Sequence, residues 1–247
     1  LPDGALAVVY WNFSGALGNQ IEVAVSPDGG TTWEPPRLVT RVPLWSDPVA
    51  RSGSFLPAAA ADRQLGLLWV AYQAAVGVPR ILVTRSRDQG RTWTPPQAIN
   101  DTPGGRSVFN PAIAVSADGQ HVTVVFYDKR HDAGNGTRVD LYLAESLDGG
   151  ATWQPNRRIT DVSSDLTLAP LTPSGRMFGD YQGIVPALDL TSPAVAMIRT
   201  MLSSTVFNNQ AGNGGGLMFF NTANPSYRYE SYIENSTISG NQALMHG

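Results

Sequence analysis

The 247-residue chain has no cysteine, so it can form neither a disulfide frame nor a thiolate metal site, and it offers no cysteine nucleophile. Charged residues make up only 15%, well short of the usual quarter. Lys and Arg number 17 against 20 Asp and Glu, for a net charge of −3. That balance argues against a nucleic-acid binder, which needs a clustered basic face. No apolar run approaches the ~18–20 residues needed to span a bilayer. The three histidines, His121, His131 and His246, are too scattered to suggest a metal cluster. No metal and no cofactor is expected. What the chain does have is turns: 25 glycines and 18 prolines, with 42% hydrophobic residues to supply a core.

The turns follow a pattern. One octapeptide occurs three times, as Ser26–Trp33, Ser86–Trp93 and Ser146–Trp153, with consensus S-x-D-x-G-x-T-W. Its aspartates, Asp28, Asp88 and Asp148, are spaced sixty residues apart, and such self-similarity is read before any local feature. The residue types are those of a tight turn. Asp accepts from backbone N–H groups two residues on. The consensus glycine (Gly30, Gly90, Gly150) supplies positive φ. The tryptophans Trp33, Trp93 and Trp153 are expected to fold back onto the core.

Strand-like segments flank each turn. Ile21–Ser26, Ile81–Ser86 and Val139–Ser146 lead in; Leu38-Val39, Ala98-Ile99 and Ile159 lead out after a proline step. Two further strands precede the second and third turns. The first open at Phe55-Leu-Pro-Ala58 and Phe109-Asn-Pro-Ala112; the second are Leu65–Tyr72 and His121–Asp128, rich in β-branched and aromatic residues. The unit is four antiparallel strands, A to D, with the octapeptide between C and D. Repeated four-stranded units read as propeller blades.

On these octapeptides the chain resembles the sialidase-like β-propellers, the Asp-box or bacterial neuraminidase repeat family. The resemblance implies an all-β fold, a partial β-propeller over residues 1–200 of about three to four blades. Two complete blades are expected at about 52–100 and 106–162, with partial ones on either side. The remaining blades are expected from sequence outside this chain. Residues 201–247 differ in character. Ser204–Ala211 nearly repeats as Ser236–Ala243, thirty-two residues on, which resembles rungs of a right-handed parallel β-helix on bacterial surface proteins; a polar linker is the other reading.

Blade topology puts the octapeptides on the face where strand A ends, and any ligand site on the face where A starts. Three arginines stand just before strand A in successive units: Arg51, Arg106 and Arg176. The resemblance implies an arginine triad that grips a sialic acid carboxylate, a task suited to a planar guanidinium fork. Solvated loop arginines are the alternative. At the end of the third B strand, Tyr127-Asp128-Lys129-Arg130 sets an acid beside two bases. Asp128 is cast either as a general acid or as the partner that orients Arg130, itself a candidate substrate contact. The family's nucleophile is a Tyr activated by a Glu, and Tyr181 is the candidate, although no Glu stands near it in sequence. A packed aromatic is its other reading. Trp11, Trp45 and Tyr127 are either sugar-stacking platforms or core. Two functions remain open: a non-catalytic module of a secreted or cell-surface protein, binding a glycan or a surface protein, or an exo-α-sialidase cleaving terminal sialic acids.

Overall fold

The computed structural model describes residues 1–13, 19–51, 56–62, 64–177 and 182–186, together with short strands further on. The chain divides into two compact units, Leu1–Met197 and Ile198–Gly247.

In the first unit three sheets follow one another. Strands β1 (Leu6–Asn12), β2 (Gln20–Ser26) and β3 (Arg37–Arg41) form a three-stranded antiparallel sheet. Strands β4 (Ala58–Ala61), β5 (Leu68–Val76), β6 (Val78–Ser86) and β7 (Gln97–Ala98) form the second. The third holds β8 (Val108–Val115), β9 (Val122–Asp128), β10 (Arg138–Ser146) and β11 (Arg157–Arg158), and β12 (Ser164–Asp165) pairs with the start of β10. A small hairpin, β13 (Leu171–Thr172) and β14 (Gly175–Arg176), comes next, then β15 (Val185–Pro186). These sheets are blades of a β-propeller, as the octapeptide spacing implies. Several strand boundaries differ from the sequence expectation, that of the second B strand most. The second B strand begins at Leu68, not Leu65, and runs to Val76, because Gly77 (φ +71°) closes a one-residue reversal into β6.

The octapeptide serine fixes one register in all three sheets. Leu6 lies opposite Ser26, Leu68 opposite Ser86, and Val122 opposite Ser146. Side chains alternate along a strand, so one register gives one set of inward positions. Val70, Tyr72 and Leu82 of the second sheet pack with Trp11, Ile21, Val23 and Val25 of the first. Val122, Val124, Phe126 and Tyr142 of the third pack with Trp69, Ala71, Ile81 and Val83 of the second. Each sheet is thus covered on both faces where neighbours exist, and burying one such aromatic contributes about 1.5–3 kcal/mol.

The first sheet breaks this rule. Its Leu6 and Val8, at the register positions of Leu68 and Val70, are 45% and 47% exposed. Trp33 shares that fate. Trp93 and Trp153 pack onto the cores between their own and the preceding blade, whereas Trp33 is 46% exposed. The core position expected for Trp33 is therefore corrected: the octapeptide tryptophan covers an interface with a preceding sheet, and none stands before the first among the described residues.

In the second unit, β16 (Ile198–Arg199), β17 (Thr205–Phe207), β18 (Gln210–Ala211), β19 (Thr237–Ser239) and β20 (Gln242–Ala243) are described. The two near-repeats pair in parallel, Thr205 opposite Thr237 and Gln210 opposite Gln242, so the sequence offset becomes the strand register. Whether these pairs belong to a β-helix lies outside the described residues.

Candidate functional site

The two ends of each blade differ in chemistry. At one end stand the octapeptides, with a hydrogen-bond set common to all three copies. Ser Oγ donates to Asp Oδ1 at 2.7–2.9 Å and accepts from the consensus Gly N–H at 2.7–2.8 Å. The same Asp accepts the Thr N–H at 2.8 Å and the Thr hydroxyl at 2.5–2.6 Å. For Asp28 and Asp148 the Thr hydroxyl does most to hold the carboxyl down, to about 2. For Asp88 burial is the largest single influence and works the other way, and the Thr92 and Ser86 bonds together outweigh it to the same value. These carboxylates face their own turns, which is the structural role expected.

The opposite end carries the starts of β8 and β10 and the end of β9: Val108 pairs with Asp128, and Asp128 with Asp140. Here the acids are buried and their partners distant in sequence. Asp128 is fully buried. Its Oδ1 accepts the Arg130 N–H at 2.7 Å, and Oδ2 accepts Arg130 Nη2 at 2.7 Å and the Thr102 hydroxyl at 2.6 Å. Arg130 Nη1 meets Asp101 at 2.8 Å, and the guanidinium lies 3.9 Å over the Tyr142 ring. Burial works against the Arg130 charge, but Asp128 and Asp101 outweigh it and raise Arg130 above the ordinary guanidinium value. Asp128 thus bonds Arg130 through both of its carboxylate oxygens. Arg130 in turn spends its fork on two carboxylates of this chain. Asp140 repeats the arrangement with Arg158, Thr160 and Ser163.

The three arginines have different partners. Residues 42–51 form a strap that leaves the first sheet and reaches the hairpin of β13 and β14. There the Arg51 N–H donates to Arg176 O and the Arg176 N–H to Val49 O, both at 2.8 Å, with Ala50 opposite Arg176 in parallel. Gly175 permits the approach: a Cβ on it would lie 2.8 Å from the Arg51 N and Val49 O atoms. Backbones meet, but side chains part. In a paired extended strand, adjacent residues face opposite ways. Arg176 shares the side of Ala50 and donates to Ala169 O at 2.9 Å; Arg51 takes the other side with Met177, whose Sδ lies 3.5 Å away. Arg106 stands apart, 41% exposed and 3.6 Å from Asp132. Arg51 and Arg176 thus stand on adjoining segments, and Arg106 on another loop. Tyr181 lies outside the described residues.

The aromatic platforms resolve toward packing. Trp11 is buried between the first two sheets, with Phe13 stacked on it at 5.4 Å. Trp45, Val49 and Tyr127 pack on Ala50, Phe109, Val139 and Leu166, and burial pushes the Tyr127 hydroxyl up to about 12.

Three features escaped the sequence reading. Lys129 and Asp47, eighty-two residues apart, form a buried ion pair at 2.6 Å. Tyr10 donates to Glu22 at 2.8 Å on the open side of the first sheet; burial, then Glu22, raise the phenol above its ordinary value. Asn110 sits at a bulge in β8 with φ +52°, its N–H held by Gln73, its carbonyl by Gln182 and its Nδ2 buried without a partner. Only the second had a sequence signal, the adjacency of β1 and β2. Among the described residues no cluster of His, Asp and Glu could hold a metal ion, and no helix is long and apolar enough to cross a membrane.

Residues 1–179 match the model of the BNR repeat-like domain. The chain belongs to the BNR repeat-like domain family. Solved structures similar to this family member include the Hadza microbial sialidase Hz136, at 24% identity and TM-score 0.43 over 61% of this chain and 34% of that one. They also include a GH93 α-L-arabinofuranosidase of Fusarium graminearum, at 20% identity and TM-score 0.42 over 67% and 48%. A third is the K499G mutant of NanB sialidase from Streptococcus pneumoniae, at 16% identity and TM-score 0.40 over 68% and 22%. The BNR chain spans less than half the length of each of them. No curated protein sequence matches it.

Proposed function

We propose that this chain is a non-catalytic, carbohydrate-binding propeller module of a secreted or surface protein, with acidic glycans as its ligand class. The observation that carries this reading is the contrast between Asp128 and Arg106. The one acid the sequence offered for proton transfer is fully buried and bonded to Arg130 and Thr102. A proton donor must come within hydrogen-bond reach of its substrate. Arg106, on the same face, keeps 41% of its side chain exposed and only a loose partner. An exposed guanidinium beside a weak internal acceptor suits a ligand carboxylate. Arg51, on the strap, is the second proposed contact. Arg176, held by Ala169 O, supports the strap.

The glycosidase alternative has one observation in its favour, the Tyr10–Glu22 hydrogen bond, a Tyr–Glu pair of the type the family uses. One experiment separates the two. The chain and its Arg106→Ala variant are titrated with 3′-sialyllactose and with lactose, and hydrolysis of a fluorogenic sialoside is followed in parallel. Binding of sialyllactose that weakens about tenfold in the variant, without turnover, supports the module. Turnover above a buffer blank overturns it.

A further inference from the structure

We propose that Lys129 is a positioning residue for the anion-binding rim: by bonding Asp47 and Gly136 at once, it fixes the two segments that place Arg51 and Arg106. The inference rests on the binding function proposed above. Lys129 directly follows β9 and is 3% exposed. Its Nζ donates to Asp47 Oδ1 at 2.6 Å and to Gly136 O at 2.6 Å, and lies 5.8 Å from the centre of the Phe109 ring.

Each bond governs one arginine. Asp47 Oδ1 also accepts the N–H groups of Val49 at 2.8 Å and Ala50 at 2.6 Å, so the carboxylate held by Lys129 shapes the turn that delivers Arg51. On the other side, Gly136 belongs to the loop 132–138. That loop wraps Asp132, which accepts from Gly134, Gly136 and Arg138 N–H groups and faces Arg106. The two segments touch where Gly136 approaches Val49: a Cβ there would lie 3.0 Å from Cγ2. One ammonium thus joins a strap from the first sheet to a loop of the third. Stability alone gives little reason for it, because a buried ion pair is often no better than apolar packing. Burial pulls the Lys129 pKa down, and Asp47 and then Asp132 oppose that, as expected of an ammonium kept charged in a dry site.

The test uses Asp47→Asn, which removes charge and keeps the acceptor for Val49 and Ala50, and Lys129→Met. The Asp47→Asn, Lys129→Met double variant leaves neither charge buried alone, and so guards against misfolding. Amide hydrogen exchange and the affinities for 3′-sialyllactose and lactose are measured on each. The expected result is faster exchange confined to residues 47–51 and 132–138, with the octapeptide amides unchanged. Sialyllactose affinity falls about tenfold and lactose affinity less than twofold. Unchanged exchange in those segments, or an equal rise over all blades, overturns the proposal. So does equal weakening toward both sugars. Should the unaltered chain bind no sialyllactose, the binding function falls, and the exchange pattern alone decides whether Lys129 holds the two segments.

Discussion

The two ends of the blades solve the same problem, ordering polar loops, in opposite ways. At the octapeptide end each octapeptide aspartate is bonded within four residues of itself, and each copy reproduces the others to about 0.1–0.2 Å. At the rim no such set is copied from blade to blade among the described residues. Asp128 reaches Thr102, Lys129 reaches Asp47, and Arg176 reaches Val49. Local bonds make a scaffold that can be copied blade after blade. Long-range bonds make a surface that differs at each blade, which is where recognition can be built. In many proteins binding residues sit on such loops, carried by a rigid frame.

The sharpest break in that comparison is at Asp128. Asp128→Ala leaves the partly buried Arg130 guanidinium with Asp101 as its remaining carboxylate partner, and we expect a loss of about 3 kcal/mol in urea denaturation. The matching Asp28→Ala, on an exposed turn, should cost far less. Similar losses at both sites would erase the distinction between the two ends.

Next come the octapeptide glycines, which share a sequence and a positive φ but not their surroundings. A Cβ at Gly150 would lie 2.6 Å from the Trp69 ring; one at Gly30 meets only Leu6, at 3.5 Å. Gly150→Ala should cost about 2–3 kcal/mol, strain plus overpacking, and Gly30→Ala about 1 kcal/mol, strain alone. Equal costs would mean that the interface between blades is looser than the packing implies.

The smallest effect is in acid. Asp28, Asp88 and Asp148 have folded values of about 2 against an ordinary 3.8. A lowered folded value contributes stability that is complete above the unfolded value and lost as pH falls through the folded one. Their contribution should therefore fade between about pH 4 and pH 2. The triple Asp→Asn variant should show a flatter stability profile across that window. An unchanged slope would place acid sensitivity at the rim instead.

Much of the fold was legible because its signals are local. The serine that opens each octapeptide sets the strand register, and the apolar pattern of β5 and β9 marks strands covered on both sides. Trp33 was misplaced because a repeat predicts that a residue is equivalent, not that its neighbour is present. The rim was far less legible. Arg51, Arg106 and Arg176 share a place before strand A, but the side each faces depends on how the strap meets β14, and strand alternation then turns Arg51 and Arg176 apart.

What the sequence by itself determined is the blade: a turn whose donors and acceptors lie within one octapeptide forms wherever that octapeptide is written. What only the tertiary structure decided is the rim. Whether Asp128 meets water or Arg130, and whether Lys129 finds Asp47 eighty-two residues away, depends on where folded sheets bring distant loops, and charge is stabilised there only by partners that the fold supplies.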